Sequence, residues 1–197
     1  MTVDAQRGLR EALKTVAVIL KEGDAPFALA GGYALWARGG PEPDHDVDFL
    51  IAEEDVARVS EMLADHDLEV MEPPEDWLFK VFVGDSMVDL LFRVNGEPAA
   101  RERFDTVDTI EVESVPMPVL SATVLMTDKL NALEEHACDI SKVLPSARAV
   151  REQVDWAAVE EATRDNDFAV ATLFLLKRLG IAPHGCVSGS EAVGPDS

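Results

Sequence analysis

The stretch that most constrains the fold lies between residues 27 and 51. An apolar tetrapeptide, Phe27-Ala-Leu-Ala30, runs into Gly31-Gly32 and then Tyr33-Ala-Leu-Trp36. After a breaker cluster, Gly39-Gly-Pro-Glu-Pro43, comes Asp44-His-Asp-Val-Asp-Phe-Leu-Ile51. The pattern predicts a buried strand over 27–30, a double-glycine turn opening a short helix over 31–38, a loop, and a second strand over 47–51. Side chains alternate across a strand, so Asp46 and Asp48 leave it on the same face, about 6–7 Å apart. Two such carboxylates repel unless a cation or donor compensates them, and they can converge on one divalent ion. A helix opening at Gly31-Gly32 has unpaired amides suited to a phosphate. A third acid, Asp89, stands in Met87-Val-Asp-Leu-Leu-Phe92, an apolar strand where an uncompensated charge is costly.

Around this centre the chain alternates helical and strand patterns. Leu9, Leu13, Val16, Ala17 and Leu20 give residues 4–22 a helical period, and Val56, Val59, Met62 and Leu63 do the same for 53–66. A brief strand is expected at 68–71, then a hairpin of 77–83 and 87–92 around Gly84-Asp85-Ser86. A short helix over 99–105 and one or two strands over 109–119 complete an α/β core assigned to residues 1–120. From Ser121 onward the pattern is helical, with helices expected at 121–136, 139–153, 155–164 and 167–179. Ser121 is placed to cap the first of them, and Asp165-Asn166-Asp167 precedes the last. This C-terminal helical part, 121–180, is expected to pack on the core, and 181–197 reads as a mobile tail.

The ordered set Gly31-Gly32, Asp46-Val47-Asp48 and Asp89 resembles the nucleotidyltransferase superfamily with the polymerase-beta-type catalytic fold. The resemblance covers roughly Phe27 to Leu179 and is nearest to stand-alone bacterial nucleotidyltransferase-like proteins, including the MenT and AbiEii toxin types. It implies a mixed sheet flanked by helices and a Mg²⁺- or Mn²⁺-dependent transfer of a nucleoside monophosphate from a nucleoside triphosphate to a hydroxyl, with release of pyrophosphate. Asp46 and Asp48 would bind one or two metal ions. Asp89 would complete the metal site and orient or deprotonate the acceptor. Gly31, Gly32 and Lys129, on the helix after the core, would hold nucleotide phosphates. The toxin-type members imply a transfer RNA 3′ end as acceptor and an antitoxin partner. Some of those relatives carry a phosphorylatable Ser or Thr two residues before the first acid, where this chain has Asp44.

Composition bears on the acceptor. With 38 acids against 17 bases the chain carries −21 at pH 7, which opposes non-specific binding of nucleic acid. A small hydroxyl compound, or a protein hydroxyl, therefore stands beside transfer RNA. Two cysteines give neither a disulfide framework nor a zinc spacing, no apolar run is long enough for a membrane span, and the first residues lack a signal-peptide core. The expected setting is cytoplasmic.

Other polar residues have plainer readings. Asp44 is a loop acid or an outer-shell group. Only six lysines are present, so Lys80, on the strand beside that of Asp89, and Lys129 stand out. Lys129 alternatively pairs with a nearby acid on a solvated face. Arg38, Arg148 and Arg151 are placed either to meet a triphosphate or to decorate amphipathic helices. His45 points away from Asp46, and His136 and Asp139 fit helix-end capping better than a metal cluster. The alternative to an enzyme is a catalytically silent nucleotide- or partner-binding module of the same fold.

Overall fold

The computed structural model describes residues 3–43 and 45–184. Asp44, Cys186 and the tail from residue 185 onward lie outside the described residues. The chain begins with α1 (Val3–Glu22), β1 (Phe27–Ala30), α2 (Gly31–Ala37) and β2 (Val47–Ile51). A 3₁₀ turn at Glu53–Asp55 leads into α3 (Val56–Asp65), followed by β3 (Glu69–Met71), β4 (Leu78–Val83) and β5 (Ser86–Leu91). A two-residue hairpin, β6 (Arg93–Val94) and β7 (Glu97–Pro98), precedes a 3₁₀ segment at Arg101–Thr106 and the hairpin β8 (Val107–Val112) and β9 (Val115–Leu120). Four helices close the described chain: α4 (Ala122–Asn131), α5 (Ile140–Val150), α6 (Trp156–Ala162) and α7 (Asp167–Arg178).

Seven strands form one mixed sheet in the order β3-β4-β5-β2-β1-β9-β8. β2 runs parallel to β5 and β1 parallel to β9, while β1 and β2 are antiparallel neighbours. The central strands are apolar nearly throughout because both faces are covered; Val47, Phe49, Leu50 and Ile51 of β2 are wholly buried. α1 turns Leu13, Val16, Ala17 and Leu20 into the core and packs along β5, β4, β2 and β9, and α3 lies against α1 and β3. No helix among the described residues is long and apolar enough to cross a membrane.

Three expectations change. The segment expected as a helix over 99–105 is a 3₁₀ run, tied by Arg101 to Glu54 and Asp55. The helix expected over 121–136 stops at Asn131, because Asn166 from the start of α7 donates through Nδ2 to the carbonyls of Asn131 and Leu133. Those bonds satisfy chain-end carbonyls that further helix would have used. The expected caps form: the Ser121 hydroxyl accepts from the Val124 amide, Asp139 from Ser141, and Asn166 from Phe168 and Ala169.

Arg38 is the third change. Its side chain, only 7% exposed, donates to the carbonyls of Leu120 and Val119 and pairs with Asp108 at 2.7 Å. It ties the end of α2 to β9 and β8 and is committed to the fold rather than to a substrate. Arg38→Met leaves two backbone acceptors unpaired and should cost about 2 kcal/mol in urea unfolding. It should leave nucleotide affinity of the folded fraction unchanged; a selective loss of affinity would return Arg38 to the site.

Candidate active site

The site is built on one row of the sheet. Register pairs Ala30 with Asp48, Asp48 with Asp89, Asp89 with Lys80 and Lys80 with Met71, so these side chains stand abreast across β1, β2, β5, β4 and β3. Directly opposed residues have Cβ atoms about 4.5–5.5 Å apart. Two residues further along, Ala28, Leu50, Leu91 and Leu78 form an apolar row on the same face. Asp46 immediately precedes β2, and its charge acts on both Asp48 and Asp89.

The double glycine is fitted to Asp48. Gly31 has φ +56, and a Cβ there would fall into the Asp48 carboxylate, 2.7 Å from its Cγ. Glycine alone combines that dihedral with that approach. The Gly32 amide donates to the Asp48 carboxylate. That bond orients the acid from the turn expected to hold a phosphate. A Cβ on Gly32 would press on Pro43 at 2.9 Å, so the breaker loop also packs against the turn.

A cleft of about 880 Å³ opens beside this row. Gly31, Gly32, Asp48 and Leu50 line it from the core, and Leu125, Asp128 and Lys129 line it from α4. Trp77, Arg93 and Asn95 complete another part of the wall. Asp46 instead faces a smaller cavity of about 560 Å³, beside His45, Ser86 and the first turns of α1. Asp89 is 7% exposed and adjoins Asp48 beneath the surface. Among the described residues no three Asp, Glu, His or Cys side chains are already drawn together as a cation cage. The trio is therefore gathered within electrostatic reach, with Asp48 and Asp89 abreast and Asp46 at the strand entry.

Electrostatics sharpen this picture. Burial, then repulsion from Asp89 and Asp46, pushes the Asp48 carboxyl from 3.8 up to about 7, against the opposing pull of the Gly32 amide and Lys129. Burial also raises Asp89, although Lys80 donates to its two oxygens at 3.1 and 3.4 Å. Lys129 feels Asp48 but has no hydrogen-bond or ion-pair partner among the described residues, and burial lowers its pKa. It is not the solvated surface pair that its helix position allowed. The two lysines thus differ: Lys80 is spent within the protein, and Lys129 faces the cleft.

Sequence reasoning missed Asp128 and Trp77. Asp128 is held by Arg103 at 2.7 and 2.8 Å. That pair joins segments with no common pattern, and no local signal announces it. Arg148 is exposed and Arg151 pairs with Glu152, so neither lines the cleft. His45 is exposed, and Asp139 caps α5 as expected.

The fold is that of the nucleotidyltransferases. The chain is similar to the antibiotic-resistance factor ANT(2″)-Ia, solved in complex with adenylyl-2″-tobramycin, at 17% identity and TM-score 0.59, over 83% of this chain and 95% of that one. It is similar to an antigenic nucleotidyltransferase-like protein from Paracoccidioides brasiliensis at 14% identity and TM-score 0.52, over 85% and 93%. It is also similar to the lincosamide antibiotic adenylyltransferase LnuA, solved with lincomycin, at 10% identity and TM-score 0.50, over 69% and 92%. No protein-family model matches the chain, and no curated protein matches it.

Two outcomes follow from this geometry. Gly31→Ala should displace the Asp48 carboxylate and lower any nucleotide-dependent turnover at least about 100-fold, since an ångström of misplacement has that scale of effect. Turnover within a few-fold of wild type would contradict the close approach. Asp48 ionises near 3.8 when unfolded and near 7 when folded, so its charge opposes folding. The stability that this group leaves intact at low pH is lost as pH rises from about 4 to about 7. Metal-free Asp48→Asn protein should therefore exceed wild type in urea-unfolding stability at about pH 8, with the gain vanishing near pH 4. An equal difference at both pH values would remove the electrostatic conflict.

Proposed function

We propose that this protein is a divalent-metal-dependent nucleotidyltransferase that moves a nucleoside monophosphate from a nucleoside triphosphate to a hydroxyl of a small, cationic acceptor. The observation that carries the reading is the abreast placement of Asp48 and Asp89 beside Gly31 in a cleft that Lys129 enters. Chemistry supports it: three mutually repelling carboxylates, one held protonated toward neutrality, form a hard oxygen donor set suited to Mg²⁺ or Mn²⁺. Asp46 and Asp48 would hold the ion, with Asp89 abreast of Asp48 to orient the acceptor. When bound, such an ion neutralises phosphate charge and aligns the triphosphate.

The chain's own groups divide the remaining work. Lys129 supplies an unpaired ammonium toward the phosphates. The Gly31-Gly32 turn keeps Asp48 aimed and lets phosphate approach the backbone without a side chain between. Asp89 accepts the proton of the acceptor hydroxyl as that oxygen bonds to the α-phosphorus. The bond from the α-phosphorus to the bridging oxygen breaks, and its electron pair leaves with pyrophosphate. The apolar row through Leu50 and Leu91 excludes water that would compete with the acceptor.

For the acceptor, charge supports a cationic small molecule over a polynucleotide. The chain carries −21, and Asp76, Asp128 and Glu134 all line the cleft. Two of the similar structures are antibiotic adenylyltransferases, one carrying an adenylylated aminoglycoside. A transfer RNA end, and with it a toxin role controlled by an antitoxin, is the competing acceptor reading.

The test is incubation with each α-³²P-labelled nucleoside triphosphate and Mg²⁺, separately with an aminoglycoside, a lincosamide and total transfer RNA. Label should pass to a small hydroxyl compound with equimolar pyrophosphate, and Asp48→Asn should reduce it at least about 100-fold. Label on transfer RNA alone would overturn the acceptor assignment. Nucleotide binding without pyrophosphate release from any mixture would make the protein a silent binding module.

A further inference from the structure

We infer that Lys80 occupies, at Asp89, the place a second metal ion would take, so that the site works with one divalent cation. The inference rests on the metal-dependent reading above and refines its stoichiometry. Lys80 and Asp89 are cross-strand partners in the β4–β5 hairpin, so their side chains rise from the same face at the same level. An ammonium has three N–H donors. The Lys80 Nζ lies 3.1 and 3.4 Å from the two Asp89 oxygens and 3.4 Å from Met87 Sδ. Met87 stands two residues before Asp89 and therefore on the same side of β5. Lys80 is thus held against Asp89 and Met87 by contacts within the protein.

The surroundings make this contact hard to exchange. Asp89 is 7% exposed, and the Lys80 side chain is 22% exposed above it. With Asp46 acting on Asp89 and Asp48 abreast of it, the carboxylate has Lys80 as its adjacent counter-charge. A divalent ion seated on the same two oxygens would lie at contact distance from an ammonium, cation against cation. The Asp46–Asp48 side carries no such lysine: Lys129 faces Asp48 across the cleft without reaching hydrogen-bond distance. One ion therefore has a place near Asp46 and Asp48. Asp89 has its position fixed by Lys80 and keeps its remaining lone pairs for the acceptor hydroxyl. In this role Lys80 is a positioning residue.

The experiment is a manganese titration of the full chain saturated with a non-hydrolysable nucleoside triphosphate analogue, read by the loss of free Mn²⁺ signal in electron paramagnetic resonance. Wild type should bind one Mn²⁺ beyond that held by the free analogue. Lys80→Met should raise the number to two, and Lys80→Arg, which keeps the charge, should leave it at one. A merely structural lysine would leave the count the same in all three. Two ions on the wild-type chain would overturn the inference whatever the variants do, and so would an unchanged count in folded Lys80→Met protein. Those results leave the transferase reading intact, whereas no bound Mn²⁺ at all would overturn both.

Discussion

Asp48 stands where it does because residue 31 has no side chain. The carboxylate occupies the space a Cβ would need, and the turn that brings it there requires a positive φ. The Gly32 amide then fixes the same carboxylate by hydrogen bonding. These contacts join the two halves of the site, the strand–turn–helix of residues 27–37 and the acid-bearing β2, into one rigid piece. The antiparallel pairing of β1 with β2 sets the approach, since Ala30 lies opposite Asp48 and the chain must turn directly above it. A larger residue at position 31 would separate the glycine turn from the acid it serves.

The same arrangement works against stability. Three acids lie within reach of one another near the core, and burial makes the charges of Asp48 and Asp89 more costly. Lys80 compensates one of them permanently through a short cross-strand contact. Lys129 compensates Asp48 only across a gap, and that gap is the cleft. On the proposed function, a site in which one acid is settled and another is left short of positive charge would take a cation and the phosphates that accompany it. Proteins commonly carry such local conflict where function demands it.

Much of this was legible in the sequence because the informative parts are local. β1 is a continuous apolar run between Pro26 and Gly31, and β2 is apolar but for Asp48 and follows the breaker loop of residues 39–43, so periodicity and turn chemistry locate them. The β4–β5 hairpin follows from its Gly84 turn, and with it the neighbourhood of Lys80 and Asp89. The capping of α4 by Ser121 is equally local. What could not be read depends on partners far along the chain. The early end of α4 is imposed by Asn166, and Arg38 finds its partners on β8 and β9, some 80 residues away. The Arg103–Asp128 pair and the entry of Trp77 into the cleft are tertiary facts of the same kind. Gly32 was legible as a turn residue but not as the donor to Asp48, because that bond needs the strand register.

The most direct measurement is a crystal structure of the chain grown with Mn²⁺ and a non-hydrolysable nucleoside triphosphate, with manganese located by anomalous scattering. The account predicts an anomalous peak at the Asp46 and Asp48 carboxylates, with the phosphates lying against Gly31-Gly32 and within reach of Lys129. Nucleotide bound outside this cleft, or manganese found away from those two acids, would contradict it.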